Sequence, residues 1–261
     1  MLTIDLKGKT ALITGASSGI GLGVSKMLAR AGCNISGCAS SEQNSEEGVE
    51  FLKLILEEGV LADYNCCDVT NFTEMEKLVK ATAKKFGGID ILISNAGVNV
   101  FEGAENCTDD LWNYNADLNL KSHWKLSQLC KPWLERSQKG VILIMTSNHS
   151  DATIPGCFPY NVTKTALKGL VQSLAIEWGP HIRTIGVAPG FIDTKGNQKW
   201  FDSFADANKE RQRTIDMHPV KKIGTPEEVG ALCAFLVSDA ASFISGTTYL
   251  IDGGRSALLQ D

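Results

Sequence analysis

The stretch Thr10-Ala11-Leu12-Ile13-Thr14-Gly15-Ala16-Ser17-Ser18-Gly19-Ile20-Gly21 decides the fold of this chain. An apolar strand-like run leads into a glycine-rich turn, and the turn opens a helix-like run. Glycines permit a tight turn and a close approach of the backbone to a ligand. The N-terminus of the following helix offers unpaired N–H groups and a partial positive charge, which favour a phosphate group. The stretch therefore predicts a dinucleotide-binding turn, although taken alone it is also compatible with a plain glycine-rich turn.

Short apolar runs alternate with longer amphipathic runs through most of the chain. Such alternation is typical of repeated βαβ units, and strands that are apolar along their whole length are typical of a parallel sheet covered on both faces. The strand-like runs are Thr10–Thr14, Asn34–Cys38, Ala62–Cys67, Ile89–Ser94, Val141–Ser147, Arg183–Ala188 and Thr247–Ile251. The sequence thus predicts an α/β fold with one doubly wound Rossmann-type domain over residues 1–261, built on a parallel sheet of about seven strands with helices on both faces.

Helix-like runs follow each of the first six strand-like runs. Two short patterns mark helix starts: Thr73–Glu76 has the spacing of a capping box, and Thr225–Glu228 combines an N-cap residue with a proline at the first helical position. Longer helix-like runs extend from about Asp109 to Glu135 and from Phe158 to Trp178.

The polar stretch 195–220 interrupts the alternation of strands and helices. It contains three aromatic residues, Trp200, Phe201 and Phe204. This composition suits a mobile helical lid over a site and equally a surface helix with an apolar face, and it is the family resemblance described below that favours the lid.

Composition excludes several classes of protein. The chain has 261 residues, of which 43% are hydrophobic and 21% charged, and its net charge is −5. These values are typical of a water-soluble globular protein and argue against nucleic acid as a partner. No run approaches the roughly 20 apolar residues that span a bilayer, and the N-terminus lacks the pattern of a signal peptide. The eight cysteines have no zinc-site spacing, so we expect no metal site and interpret them mainly as core residues of a cytoplasmic protein.

Chemistry is indicated by Tyr160-Asn161-Val162-Thr163-Lys164, with Ser147 thirteen residues before the tyrosine. On a helix, the side chains of Tyr160 and Lys164 lie one turn apart on the same face. An ammonium group there would favour the phenolate and lower the tyrosine pKa from its reference value near 10. A tyrosine of this kind can act as a general acid or base near neutral pH.

The glycine turn, Asn95-Ala96-Gly97, Asn119, Ser147 and the Tyr160/Lys164 pair together resemble the short-chain dehydrogenase/reductase family from Lys9 to Gly254. The resemblance implies that Tyr160 exchanges a proton with the substrate oxygen and that Ser147 holds and polarises that oxygen. It implies that Lys164 lowers the tyrosine pKa and binds the nicotinamide ribose, and that Asn119 supports a water-mediated proton path.

The resemblance also implies a nicotinamide cofactor and assigns residues to it. Asp68 and Val69 would hold the adenine, and Ile192 and Thr194 would lie near the nicotinamide carboxamide. The full set expected to bind the cofactor is Gly15, Ser17, Ser18, Gly19, Ile20, Gly21, Ser40, Asp68, Val69, Asn95, Ala96, Gly97, Tyr160, Lys164, Pro189, Gly190, Ile192 and Thr194.

The choice between NAD and NADP depends on the end of the second strand-like run. An NAD enzyme usually has a carboxylate there, which binds the ribose hydroxyls. This chain has Ala39, Ser40 and Ser41 instead, with neither a carboxylate to repel a 2′-phosphate nor an arginine to pair with it. Because the serines can donate hydrogen bonds to a phosphate, NADP is favoured and NAD stays open.

The segment between Ser147 and Tyr160 borders the substrate in this family. It is unusually polar here, and His149 and Asp151 lie close together in sequence. These two side chains, with Trp200 of the expected lid, are the predicted substrate contacts. They favour a small polar alcohol or carbonyl compound, such as a sugar or polyol, although the histidine and aspartate could instead cap the loop or bind each other.

The expected function is therefore an NAD(P)-dependent interconversion of an alcohol and a carbonyl compound. Reduction of 3-oxoacyl thioesters is an alternative that predicts a basic patch at the mouth of the cleft. A non-catalytic dinucleotide-binding regulatory protein is a second alternative. The resemblance further implies a homotetramer, in which the helices over Asp109–Glu135 and Phe158–Trp178 pack across a two-fold axis.

Overall fold

The fold is built on one seven-stranded parallel sheet, seen in a computed structural model that describes residues 4–258. The strands are β1 (Thr10–Thr14), β2 (Asn34–Ala39), β3 (Ala62–Cys66), β4 (Ile91–Ser94), β5 (Gly140–Met145), β6 (Ile182–Pro189) and β7 (Thr248–Ile251). Their order is β3-β2-β1-β4-β5-β6-β7, and every neighbouring pair is parallel. The predicted doubly wound α/β fold is confirmed.

Helices connect the strands and cover both faces of the sheet. They are α1 (Gly19–Arg30), α2 (Glu46–Leu56), α3 (Phe72–Phe86), α4 (Asp109–Ala116), α5 (Ser122–Arg136), α6 (Tyr160–Trp178), α7 (Lys195–Asp202), α8 (Ala207–Asp216) and α9 (Pro226–Val237). The long run expected from Asp109 to Glu135 is α4 and α5, joined by a π-helical turn over Asp117–Lys121. Among these helices of residues 4–258, none has both the length and the apolarity to cross a bilayer.

The strands bury side chains on both faces because side chains alternate along a β-strand. Ile13 of β1 and Leu143 of β5 belong to the core under α1 and α9, whereas Leu12 and Ile142 belong to the core under α5 and α6. All four side chains are fully buried. The double burial explains why these strands are apolar along their whole length.

The direction of winding reverses between β1 and β4. The chain moves outward from β1 to β3 on one side of the sheet, then returns to β4 and continues outward to β7 on the other side. Ligands of open α/β sheets bind in the crevice at such a reversal, beyond the carboxyl ends of the strands. The fold therefore places its ligand crevice beside the glycine turn that follows β1.

Two predicted helix starts have different outcomes. Thr225 is the N-cap of α9 with Pro226 at the first helical position, as the sequence predicted, and it also forms a complete capping box with Glu228. The capping box predicted at Thr73–Glu76 is wrong, because α3 begins one residue earlier and Asn71 is its cap. The Asn71 side chain accepts hydrogen bonds from the first turn, while Glu76 pairs with Lys80 on the helix surface.

Helices α1 and α9 pack with their backbones almost touching. A Cβ atom on Gly23 would lie 2.4 Å from the carbonyl carbon of Pro226, and one on Gly230 would lie 2.6 Å from the Gly23 carbonyl oxygen. Both positions therefore require glycine. Helix α9 holds α1, whose N-terminus carries the glycine turn, against the sheet.

Candidate active site

The glycine turn leaves the N-terminus of α1 open to a ligand. Gly15 and Gly19 have φ angles of 63° and 52°, a region that side-chain-bearing residues rarely adopt. A Cβ atom on Gly21 would lie 2.0 Å from the Gly15 carbonyl oxygen, so the turn closes only with glycine there. Ser18 is the N-cap of α1, and among residues 4–258 its side chain makes no capping hydrogen bond. The turn and the uncapped helix fit the pyrophosphate of a dinucleotide.

Asn95, Ala96 and Gly97 follow β4 and form the next wall of the crevice. The backbone N–H groups of Asn95 and Ala96 both donate to the Thr14 hydroxyl at 3.0 Å, and the Asn95 side chain donates to the Thr14 carbonyl at 2.8 Å. Gly97 faces the catalytic candidates, because a Cβ atom there would lie 2.6 Å from Asn119 Oδ1. The carboxyl ends of β1 and β4 are thus locked together around the cofactor crevice.

The expected adenosine end of the crevice is a cavity of about 370 Å³ beside the glycine turn and the end of β2. It is lined by Gly15, Ser17, Ser18, Ala39, Ser40, Ser41, Glu47, Lys195, Gly196 and Lys199. Four of these, Gly15, Ser17, Ser18 and Ser40, were predicted to bind the cofactor. The residues assigned to the adenine follow β3, where the Asp68 carboxylate accepts two hydrogen bonds from Thr70 at 2.8 Å and Val69 is buried.

The loop after β6 closes the other side of the crevice. The Gly190 N–H donates to the Ile251 carbonyl at 3.0 Å, which continues the sheet beyond Pro189. Ile192 is buried, and Thr194 caps α7 by accepting from the Asn197 N–H at 3.3 Å. A Cβ atom on Gly19 would lie 3.3 Å from the Thr194 methyl group, so the start of α7 lies directly against the glycine turn.

Tyr160 is the first residue of α6 and lies against Ser147, which follows β5. Burial raises the pKa of Tyr160 to about 12, and a hydrogen bond with Ser147 opposes that rise. The Ser147 hydroxyl also accepts from the His149 N–H at 3.2 Å, which fixes its position. The phenol of Tyr160 therefore keeps its proton at neutral pH and shares a hydrogen bond with a fixed hydroxyl.

Lys164 is almost fully buried, one turn beyond Tyr160 on α6. Its Nζ donates to the Met145 carbonyl at 3.0 Å and lies 5.5 Å from the centre of the Tyr160 ring. Desolvation lowers the pKa of Lys164 to about 7. The sequence predicted that this ammonium would lower the tyrosine pKa, and that prediction is wrong for this arrangement: burial is the dominant effect on both groups and favours the neutral form of each.

The π-helical turn between α4 and α5 carries Asn119 into the site. Asn119 Oδ1 accepts from the Val98 N–H at 3.1 Å, while its Nδ2 donates to the Val98 carbonyl at 3.0 Å and to Asn115 Oδ1 at 2.9 Å. Asn119 is fully buried, and all its side-chain polar atoms are used in these bonds. π-Helical turns are frequent at functional sites, where they redirect a side chain.

Of the predicted substrate contacts, His149 lies beside the catalytic candidates. Its ring centre is 6.1 Å from that of Tyr160, and its Nδ1 lies 3.0 Å from the Thr153 hydroxyl. Phe101, which the sequence did not single out, lies edge-on to Tyr160 at 5.3 Å and 5.7 Å from the His149 ring. Partial burial lowers the pKa of His149, so its imidazole is neutral at pH 7.

The other two predicted substrate contacts, Asp151 and Trp200, are bonded to or packed against neighbouring protein side chains. The Asp151 carboxylate accepts from Lys168 Nζ at 2.6 Å and from the Ser150 hydroxyl at 2.9 Å, and the Lys168 bond lowers its pKa. Asp151 and His149 form no hydrogen bond with each other, so the structure does not support the alternative that these two side chains bind each other. Trp200 packs on Phe204 with ring centres 4.8 Å apart, within an aromatic cluster that also contains Phe191 and Phe201.

Comparison with known proteins decides the family. A family model described as enoyl-(acyl carrier protein) reductase matches residues 15–256. Dehydrogenase/reductase SDR family member 4 of Homo sapiens is 34% identical over 258 residues, covering 97% of this chain and 90% of that protein. This chain belongs to the short-chain dehydrogenase/reductase family.

Solved structures of similar proteins support the same assignment. The short-chain dehydrogenase/reductase fold of this chain superposes on the aldohexose dehydrogenase of Thermoplasma acidophilum with a TM-score of 0.89 at 28% identity, covering 99% of this chain and 98% of that one. A 7α-hydroxysteroid dehydrogenase, solved with NADH and 7-oxo glycochenodeoxycholic acid, gives 0.88 at 30% identity, covering 97% and 96%. The protein is accordingly a nicotinamide-dependent oxidoreductase that acts on CH–OH or C=O groups.

Proposed function

We propose that this short-chain dehydrogenase/reductase uses NADP to interconvert a small polar carbonyl compound and its alcohol. The observation that carries the proposal is the meeting of Ser147, Tyr160 and Lys164 at the carboxyl end of β5, beside a glycine turn that leaves a helix N-terminus open. The nicotinamide cofactor supplies or accepts the hydride when bound. The protein supplies the proton, the position of the substrate and the electrostatics.

Tyr160 is the proton donor and acceptor in this proposal. Because its pKa is raised to about 12, the phenol is protonated at neutral pH and can give its proton to a carbonyl oxygen. Ser147, hydrogen-bonded to the phenol and fixed by the His149 N–H, holds the same oxygen. The arrangement suits reduction at neutral pH, and oxidation requires the rarer phenolate form.

Lys164 and Asn119 assist Tyr160, the proton donor, in this proposal. The Lys164 amine, with a pKa of about 7, can take up or release a proton in the pH range in which enzymes work, and we assign it to the nicotinamide ribose as well. Asn119 positions the wall formed by Val98 and Gly97 through two hydrogen bonds to Val98. A water chain that starts at this point would resupply the proton that Tyr160 gives away.

The substrate in this proposal has both hydroxyl groups and an apolar face. His149 offers a polar atom beside Tyr160, and the half-exposed Phe101 offers a ring that can pack on the carbon face of the substrate. Ligand pockets commonly combine aromatic walls with few polar groups. Asp151 supports the loop through its bonds to Lys168 and Ser150. Trp200 packs in the aromatic cluster of the segment 195–220, and we assign that segment to a lid over the substrate.

Reduction of 3-oxoacyl thioesters receives less support. That activity predicts a basic patch at the mouth of the cleft. The two arginines of α8 are both paired, and Lys195 and Lys199 of α7 line the cavity beside the glycine turn instead. Arg211 is paired with Asp193, and Arg213 with Glu210. The direct test is a panel of sugars, polyols, simple ketones, steroids and 3-oxoacyl thioesters with NADPH and NADH, followed by absorbance of the reduced nicotinamide. Fastest turnover of a steroid or thioester would contradict the polar substrate, and equal use of both cofactors would contradict the NADP preference.

His149→Ala should raise KM for the true polar substrate by about tenfold or more and leave KM for a simple secondary alcohol within about twofold. A buried hydroxyl that loses its partner costs roughly 1–3 kcal/mol. The exposed His181 offers a matched control, since it lies at the far end of α6. Steady-state kinetics on purified His149→Ala and His181→Ala would check this, and equal losses on both substrates would assign His149 a structural role only.

We also propose a homotetramer that assembles through α4, α5 and α6. These helices expose large apolar side chains, and Trp112, Tyr114, Trp124 and Ile176 are between 39% and 80% exposed. Contiguous exposed apolar residues mark association surfaces. Sedimentation velocity should give the mass of a tetramer, and a fully active monomer would contradict this assembly.

A further inference from the structure

The cavity at the adenosine end has a wall that the sequence did not indicate. Ser17 and Ser18 come from the glycine turn, Ser40 and Ser41 follow β2, and the opposite wall comes from α7 of the proposed lid. Lys195 and Lys199 of α7 lie four residues apart and therefore on the same helix face. Both line the cavity. A segment expected to cover the substrate thus also borders the adenosine half of the cofactor crevice.

Lys195 and Lys199 are two cations without an ion-pair partner among residues 4–258. Within the part of the chain that the structure describes, neither ammonium forms an ion pair or a hydrogen bond. The neighbouring arginines differ, since Arg211 and Arg213 of α8 are both paired. Glu47 is the carboxylate among the lining residues, so the cavity has two positive charges and one negative charge.

The end of β2 is suited to a phosphate but lacks a cation of its own. Ser41 shares a short hydrogen bond of 2.6 Å with the hydroxyl of Tyr64, which fixes its side chain. Ser40 is exposed toward the cavity and offers a hydroxyl donor. A phosphate bound there would need positive charge from another element, and α7 is the element of the lining that supplies it.

We propose that Lys199, assisted by Lys195, binds the 2′-phosphate of NADP together with Ser40, and thereby decides the cofactor preference. This inference rests on the proposed use of NADP. An ammonium beside a phosphate dianion forms a charge-assisted hydrogen bond, which is stronger than a bond from a neutral hydroxyl. Thr194 caps α7 and packs against Gly19, so the start of the helix that carries both lysines has a fixed position beside the glycine turn.

A consequence is that the cofactor and the substrate share one helix. Trp200 follows Lys199 directly and belongs to the aromatic cluster of the proposed lid. A 2′-phosphate that holds Lys199 would hold the same turn of α7 near the cleft. Bound NADP would thus order α7 through its 2′-phosphate, whereas NAD has no 2′-phosphate to contact this helix.

The test measures the phosphate contact without the nicotinamide. Adenosine 2′,5′-bisphosphate and adenosine 5′-monophosphate differ only in the 2′-phosphate, and calorimetry gives Kd for each. Lys199→Gln should raise Kd for the bisphosphate by about tenfold or more and leave Kd for the monophosphate within about twofold. Glu47→Gln should lower Kd for the bisphosphate severalfold, because it removes a like charge from the cavity.

Lys209→Gln is the matched control, since Lys209 is an exposed lysine of α8 outside the cavity lining. An unchanged Tm for each variant shows that it is folded. If the wild type favours the bisphosphate and Lys199→Gln keeps the same preference, the inference about α7 fails while the use of NADP stands. If the wild type binds both nucleotides equally, both the NADP preference and the role of Lys199 fail.

Discussion

Tyr160→Phe should lower kcat by about 10²–10⁴-fold, because it removes the oxygen to which we assign the proton transfer. The ring stays, and with it the edge-on contact to Phe101. Binding of the reduced cofactor should therefore stay within about twofold of the wild type. In the wild type, alcohol oxidation should accelerate with rising pH toward the tyrosine pKa of about 12, since phenolate becomes more abundant, whereas carbonyl reduction should not.

Tyr249→Phe is the control for that experiment. Tyr249 lies on β7, away from the crevice, and is partly buried like many structural tyrosines. It should keep wild-type kcat. Retention of more than about a tenth of the wild-type kcat by Tyr160→Phe would contradict the assignment of the proton to this phenol.

Lys164→Met should lose activity and cofactor affinity together, because we propose that this one buried amine both supports the proton donor and binds the ribose. The variant also tests the pKa by a route that needs no turnover. The folded lysine has a pKa of about 7, while an unfolded lysine titrates near 10.4. Between these values the unfolded chain binds more protons, so the free energy of unfolding of the wild type should rise with pH by up to about 1.4 kcal/mol per unit from this group.

The methionine variant lacks the group and should lack that rise. Urea denaturation at several pH values between 7 and 10 would measure the difference between the two proteins. The exposed Lys84→Met at the end of α3 should keep the wild-type pH dependence. Parallel curves for the wild type and Lys164→Met would show that the buried lysine titrates at its ordinary pKa.

The sequence predicted the sheet well because its strands are buried on both faces. A run such as Gly140–Met145 has no exposed position, so every residue reports the same environment. Strand ends were less certain, and Ile89 and Asp90 lie before β4 instead of inside it. Hydrogen bonding, which fixes strand ends, depends on the neighbouring strand and leaves little trace in local composition.

Helix caps show where local patterns stop being sufficient. Thr225–Glu228 and Thr73–Glu76 have the same Thr-x-x-Glu spacing, and only the first is a capping box. Thr73–Glu76 does not form a capping box because α3 begins earlier, with Asn71 as its cap. Glu74 stabilises this earlier start by accepting hydrogen bonds from the Asp68 N–H and from the Asn71 side chain. Both contacts join residues no more than six positions apart, so the local sequence did contain the information that Asn71 is the cap. The Thr-x-x-Glu spacing at Thr73 was the more familiar pattern, and it led to the wrong prediction.

The sequence predicted which residues lie near Tyr160 better than it predicted their pKa values. Spacing placed Lys164 one turn from Tyr160, but only the packed structure shows the lysine almost fully buried against the Met145 carbonyl. The π-helical turn at Asn119 depends on Val98, twenty-one residues away, and has no local signature. Phe101 lies beside Tyr160 and Lys199 lines the cavity at the glycine turn, and both come from segments whose positions the sequence alone does not fix.

The glycine contact between α1 and α9 joins an element that is synthesised early to one that is synthesised late. The cofactor turn is complete by residue 21 and is synthesised early, whereas α9 begins only at Pro226. A nascent chain that has not yet released α9 from the ribosome has no partner for the backbone face at Gly23. The first ligand-binding element to be made is therefore among the last to reach its final packing.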